Sequence, residues 1–257
     1  MTKLTLAGLV LVGGTAVWAQ AQTPAAAVVP VAPWQTTVSA GANVTRGNSE
    51  TMALNGSVCT VFKQDKNEAR LGVEGNYGQS QTTQGSGSNA TKKTDTTLNN
   101  VKAYGEYRRL LTERTYAYAN AEVLHDDIAE IDYRLTVGPG LGRYLLMSDR
   151  QKLSVEGGMA YIKERVAGDD DDRVVLRVCE RYDLKVSATA SLWEQVEYMP
   201  TVDDMSQCLV NGEIGAEAAM NAKLSLRVVL QDKYNSTPAP GKDDNDLAVI
   251  AGLTYKL

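Results

Sequence analysis

Between Asn245 and Leu257 every second residue is apolar. Leu247, Val249, Ala251, Leu253, Tyr255 and Leu257 share one face, while Ala248, Gly252, Thr254 and Lys256 share the other. A period of two belongs to a strand, because successive side chains of an extended chain point to opposite sides. Such a face must be covered, either by a second sheet or by lipid. An apolar strand with an aromatic near its end fits the closing seam of a membrane β-barrel.

The same alternation recurs upstream. Trp34, Thr36, Val38, Ala40, Ala42 and Val44 oppose Gln35, Thr37, Ser39, Gly41 and Asn43, and after Gly47-Asn48-Ser49 the run Met52, Leu54, Val58 and Phe62 opposes Thr51, Asn55 and Ser57. Two such runs about a turn predict a hairpin. Further runs carry Leu71, Val73 and Tyr77; Tyr133, Leu135, Val137 and Leu141; Leu153, Val155, Met159 and Tyr161; Val174, Leu176 and Val178; Val210, Ile214 and Ala216; and Leu224, Leu226, Val228 and Leu230. A soluble sandwich gives the same alternation, so the connections must decide.

Tight turns with a basic residue are expected at Asp65–Asn67, Thr112–Arg114, Ser148–Arg150, Asp183–Lys185 and Asn221–Lys223. Longer loops rich in Gly, Pro or Asp are expected at Thr82–Lys92, Asp126–Asp132, Ala167–Asp172, Pro200–Ser206 and Ser236–Asp244. Short turns at one end and long loops at the other are the asymmetry of an outer-membrane barrel. With the hairpin at Gly47 these connections predict about twelve antiparallel strands, each of roughly 9–11 residues. Two stretches fit poorly: Lys93–Leu110 mixes apolar and polar residues on both faces, and Glu194 falls on the apolar face of Leu192, Val196 and Tyr198. A shifted register or a wrong phase is expected at both.

Composition adds three limits. A mean hydropathy of -0.26 leaves no helical span beyond the first residues, where Lys3, an apolar run Leu4–Val17 and Ala19-Gln20-Ala21 read as a secretory signal. The expected division is a leader over 1–21, an Ala/Pro linker over 22–33 and a barrel over 34–257. A net charge of -5 argues against nucleic acid as a partner. Cys59, Cys179 and Cys208 are spaced for neither a zinc site nor a disulfide frame and read as passive strand residues.

On the polar faces Glu74, Arg134, Glu156, Arg173, Arg177, Arg181, Glu197, Glu213, Glu217, Arg227 and Lys233 are the candidates to line a lumen. Both signs in similar number favour neutralising pairs. Arg173, Arg177 and Arg181, four residues apart on one face of a strand, offer instead a basic ladder for anions. Acidic groups at Asp126–Asp127, Asp169–Asp172, Asp203–Asp204 and Asp243–Asp246 fall in or beside the expected long loops, with no spacing of a calcium loop. His125, the single histidine, is the starting point for a barrel hydrolase, yet no serine stands in a nucleophile motif. No catalytic, cofactor or metal residue is assigned.

Arg46-Gly47-Asn48-Ser49-Glu50-Thr51, Leu135-Thr136-Val137-Gly138-Pro139-Gly140-Leu141-Gly142, Ser148-Asp149-Arg150-Gln151-Lys152-Leu153-Ser154 and Ala251-Gly252-Leu253-Thr254-Tyr255-Lys256-Leu257 together resemble the YdiY-like salt-induced outer-membrane proteins, domain-of-unknown-function family 481. The resemblance implies an outer-membrane barrel with a link to salt or osmotic response and brings no catalytic residue. The reading is a transmembrane β-barrel in a Gram-negative outer membrane, structural or a narrow small-solute pore. Its expected partners are membrane lipid, lipopolysaccharide and the barrel-assembly machinery; oligomeric state is left open. The rivals are a barrel phospholipase-type hydrolase and a soluble periplasmic all-β binding protein.

Overall fold

The computed structural model describes residues 33–45, 49–84 and 91–257. The expected leader and all but the last residue of the linker lie outside the described residues, as do the Gly47 turn and the middle of the Thr82–Lys92 loop. Among the described residues twelve strands are present: β1 (Trp34–Thr45), β2 (Ser49–Gln64), β3 (Asn67–Gln84), β4 (Thr91–Leu110), β5 (Thr115–Asp126), β6 (Ile131–Met147), β7 (Gln151–Val166), β8 (Asp169–Lys185), β9 (Ala190–Pro200), β10 (Cys208–Ala219), β11 (Leu224–Asn235) and β12 (Asn245–Lys256). Each pairs antiparallel with its neighbour in sequence, and β12 returns to β1 to close the barrel. Closure removes free sheet edges, which is what lets strands cross a bilayer.

Alternation sets the two surfaces. Val58 (47 % exposed), Val73 (51 %), Leu141 (58 %) and Ile214 (58 %) stand on the outer wall, while their polar neighbours face in. An outer wall that exposes Leu, Val, Ile and Met on successive strands is a lipid-facing surface. Aromatics frame it: Trp34 packs against Phe62 with tilted rings and centroids 4.7 Å apart near the turn end, and Tyr161 and Tyr198 stand toward the loop end. Such rings suit the interface between hydrocarbon and headgroups.

Strand length departs from expectation. The strands run from 11 residues in β9 to 20 in β4. Twenty residues tilted in a barrel rise about 50 Å, roughly twice the apolar band of about 25 Å. The wall therefore continues beyond the bilayer as solvated sheet. This accounts for three corrections at the connections. Asp169–Asp172 belongs to β8 and pairs with Lys163–Val166 of β7, so the expected Ala167–Asp172 loop is a two-residue turn. The Asp126–Asp132 loop shrinks to residues 127–130, with Asp126 ending β5 and Ile131 opening β6. Asp183–Lys185 is strand, and the turn falls at 186–189.

Ala167 and Gly168 both have positive φ, 51° and 87°. That is the backbone of a type I′ hairpin turn, in which Asn or Gly is favoured at the first position and Ala is strained. Ala167→Asn is expected to stabilise the barrel by about 1 kcal/mol, read as a higher urea midpoint; an unchanged midpoint would mean the turn is unstrained.

The two poorly fitting stretches resolve differently. Between Gly78↔Leu98 and Gln79↔Thr96 the β3–β4 register skips Thr97. This bulge exchanges the two faces of β4, so Lys102, Tyr104, Glu106 and Arg108 point inward. In contrast, β9 pairs without a shift on both sides. Glu194 therefore does face outward, level with Tyr182 four residues from the start of β9.

Candidate functional site: the charged lumen

All the buried hydrophobic residues except Val229 and Ala239 lie between Tyr116 and Leu209. The interior is thus filled from the β5–β10 side. Tyr116, Tyr118 and Tyr144 form one cluster there, and Ala160, Ile162, Val175, Met199 and Leu209 form another. What remains open is a cavity of about 850 Å³ that takes lining residues from both ends of the barrel.

Glycines on β6 make the tyrosine cluster possible. The rings of Tyr116 and Tyr118 lie flat over Gly142 and Gly140 of the neighbouring strand, where any Cβ would overlap the ring. Arginines cover the inner faces: Arg108 stands 5.0 Å from the Tyr116 centroid and Arg177 stands 5.1 Å from that of Tyr118. Gly142→Val is expected to cost about 1–3 kcal/mol by overpacking, because Tyr116 is fully buried and has nowhere to go. A folded fraction equal to wild type in urea would show that the ring swings freely into the lumen.

Carboxylates then lock these cations. Arg177 donates Nη1 to Glu156 and to the Tyr118 hydroxyl, each at 2.8 Å, and Nε to Glu197 at 2.5 Å. Glu156 also accepts from the Tyr116 hydroxyl at 2.8 Å and pairs with Arg108 Nη2 at 2.9 Å. Asn211 donates to the second oxygen of Glu197 at 3.0 Å. Buried charges held by several charge-assisted bonds in this way are fixed in one geometry. Toward the loop end Glu164 takes both Arg134 and Arg173. Toward the turn end Arg181 is chelated by Asp183 and reaches Gln195 at 3.1 Å. The basic ladder considered for Arg173, Arg177 and Arg181 is therefore not a row of free cations: each has at least one carboxylate within ion-pair range.

Glu74 pairs with Lys102 at 2.9 Å, Glu213 accepts from Trp193 and Gln231 at 2.6 and 3.0 Å, and Glu217 lies 3.8 Å from Lys256. Lys233 and Arg227 line the cavity without a carboxylate in ion-pair range among the described residues. Arg173 is the one sequence candidate that does not line it, being held at the wall by Glu164 and Asp171. Alternation did not reveal Lys102, Glu106 and Arg108, because the bulge at Thr97 scrambles their strand. Tyr116 and Tyr118 on β5 were legible in principle, since Gly140 and Gly142 repeat at the same period on β6.

Eleven basic and thirteen acidic side chains line the cavity, so its net charge is small, but the two signs are unevenly placed along the axis. Lys63, Lys152 and Arg70 stand within a few residues of the turn end beside Glu68 and Asp183, whereas Asp126, Asp243, Asp244 and Asp246 stand at the loop end beside Lys233 and Lys242. The segment joining β11 to β12 folds over that mouth: Ala239 is buried, and Lys242 bridges to Glu130 of the β5–β6 turn at 3.0 Å. In the exposed β9–β10 turn the Ser206 hydroxyl, its amide and Gln207 hold the Asp204 carboxyl below its usual range.

His125 is exposed. Its Nδ1 lies 2.9 Å from the Asp132 carbonyl and its Nε2 lies 3.0 Å from Asp127, and no serine is among its partners. The three cysteines are free thiols. Among the described residues no group of three or more His, Cys, Asp or Glu is gathered to hold a metal ion.

Comparison with solved structures supports the architecture. The NanC porin structure in a rhombohedral crystal form superposes with a TM-score of 0.54 at 10% identity, covering 87% of this chain and 100% of that one. The COG4313 outer membrane channel from Pseudomonas putida F1 gives 0.47 at 12% identity, covering 92% of this chain and 99% of the other. At 10% identity the likeness to the NanC porin is one of fold alone. No curated protein matches the chain in sequence. Residues 38–257 match the family described as protein of unknown function, DUF481, and the chain belongs to that family.

Proposed function

We propose that the protein is an outer-membrane channel of narrow bore, passing small hydrated solutes through a lumen lined by fixed ion pairs. One observation carries the reading: the cavity is lined by Lys63 and Lys152 at the turn end and by Asp243 and Asp246 at the loop end, so it reaches both ends of the barrel. The packed β5–β10 side keeps the bore small, and the locked pairs keep the walls polar without large net charge. The acidic loop-side mouth favours entry of cations and neutral solutes over anions.

The apolar outer wall supports a barrel embedded in lipid, and lipopolysaccharide around the loop-side rim and assembly by the barrel-assembly machinery are parts of the proposal. The resemblance to salt-induced proteins extends it to a role in osmotic response. Liposome swelling tests the channel: vesicles containing the folded protein should swell in an iso-osmotic pentose and not in a trisaccharide. Absence of swelling with every solute, from protein shown folded by heat-modifiable gel mobility, would reject it.

A further inference from the structure

Around the loop end of the closed barrel, the β5–β6 and β11–β12 connections stand on opposite sides: β6 to β11 separate them one way and β12 to β5 the other. Lys242 of the second connection nonetheless reaches Glu130 of the first, Nζ to Oε1 at 3.0 Å. The segment 236–244 therefore crosses the mouth rather than standing up from the rim. Pro238, Ala239, Gly241 and Lys242 line the cavity, as do Ile128 and Ala129 of the opposite turn. Ala239, midway along the segment, is 4% exposed. Just inside, Ile162, Val175, Met199 and Leu209 fill the β7–β10 side, so segment and cluster together narrow the mouth.

The segment is built as a stiff arm tied at both ends. At the near rim the Ser236 amide donates to the Cys208 carbonyl at 3.0 Å, the Cys208 amide to the Ser236 hydroxyl at 2.7 Å and the Asn235 amide to the Asp244 carbonyl at 2.8 Å. Along the arm Pro238 and Pro240 fix their own φ. The Lys242 amide donates to the Ala239 carbonyl at 3.0 Å, and Gly241 inside that bond has φ 81°. Proline followed by glycine at those positions is a type II turn, and it holds Lys242 at its last position. The tie at the far end is the Lys242–Glu130 pair. Glu130 has φ 55°, a left-handed backbone that glycine adopts freely and glutamate only with strain. Glycine there would lose the carboxylate that Lys242 meets. Both side chains are partly exposed, at 33% and 44%, so the pair is weak enough to break and re-form.

We infer that the 236–244 segment is a hinged strap latched by Lys242 to Glu130, and that this latch sets the size limit for solutes at the loop-side mouth. With the ties at the near rim kept, loss of the ion pair frees the stiff arm to swing out and exposes Ala239. The size limit rests on the channel proposed above; the latch does not.

Labelling of Ala239→Cys by a charged maleimide reads the latch directly, in full protein with Cys59, Cys179 and Cys208 replaced by Ser and shown folded by heat-modifiable mobility. Lys242→Glu sets like charges against each other and should speed labelling roughly fivefold, the size expected when a weak exposed pair becomes a weak repulsion. Lys242→Gln should speed it less, and Lys242→Glu combined with Glu130→Lys should return it to the parent rate. In liposomes Lys242→Glu should admit the trisaccharide that the parent excludes, and the charge swap should exclude it again. Equal labelling rates in all these proteins would overturn the inference, as would continued exclusion of the trisaccharide by Lys242→Glu vesicles that swell in pentose. Latch-dependent labelling in protein that swells in no solute would uphold the strap and reject the channel.

Discussion

Arg177→Met should cost the barrel about 3–5 kcal/mol, the range for removing one partner of a buried ion pair. The side chain is 7% exposed and holds Glu156, at 4%, together with Glu197. Methionine fills similar volume but leaves two carboxylates in the interior without their shared cation. Arg108 still reaches Glu156, so the greater loss falls on Glu197. Adding Glu156→Gln and Glu197→Gln should then recover most of the stability, because the charges that needed Arg177 are gone. Urea unfolding followed by gel mobility reads both steps. A single variant as stable as wild type would mean that water already solvates this network.

The second large effect separates the two faces of one strand. Val58 faces out beside Val38 and Val73, and Ser57 lines the cavity. Val58→Arg places a guanidinium against hydrocarbon and should cost about 2–4 kcal/mol if the site is near mid-bilayer. Ser57→Arg points into the polar cavity of the proposed channel and should cost less than about 1 kcal/mol. Folding titrations in lipid vesicles measure both. Equal costs would contradict the assignment of faces, since a one-residue step along a strand is all that distinguishes them.

Most of the wall was legible from alternation, because a lipid-facing strand can hide its polar residues on only one side. The twelve strands and the outward run of Leu247, Val249 and Leu253 follow from that constraint alone. Asp169–Asp172 misled because aspartate is a poor strand former. Above the bilayer the sheet is solvated on its outer side, and Lys163 and Arg165 stand opposite Asp172 and Asp170, so acidic residues are accommodated in the ladder. In β4 the bulge at Thr97 exchanges faces midway, which no fixed period can follow. Lumen candidates such as Glu156, Arg177 and Glu197 were legible as inward positions. Their pairing was not, because it depends on registers between three strands and on the side to which the tyrosines pack.

Single-channel recording in planar bilayers tests the central claim most directly, with wild type and Ser57→Arg compared in the same salt. The proposed channel predicts discrete conductance steps for the wild type and smaller steps for Ser57→Arg. Silent bilayers after verified insertion of folded protein, or steps indifferent to Ser57→Arg, would contradict it.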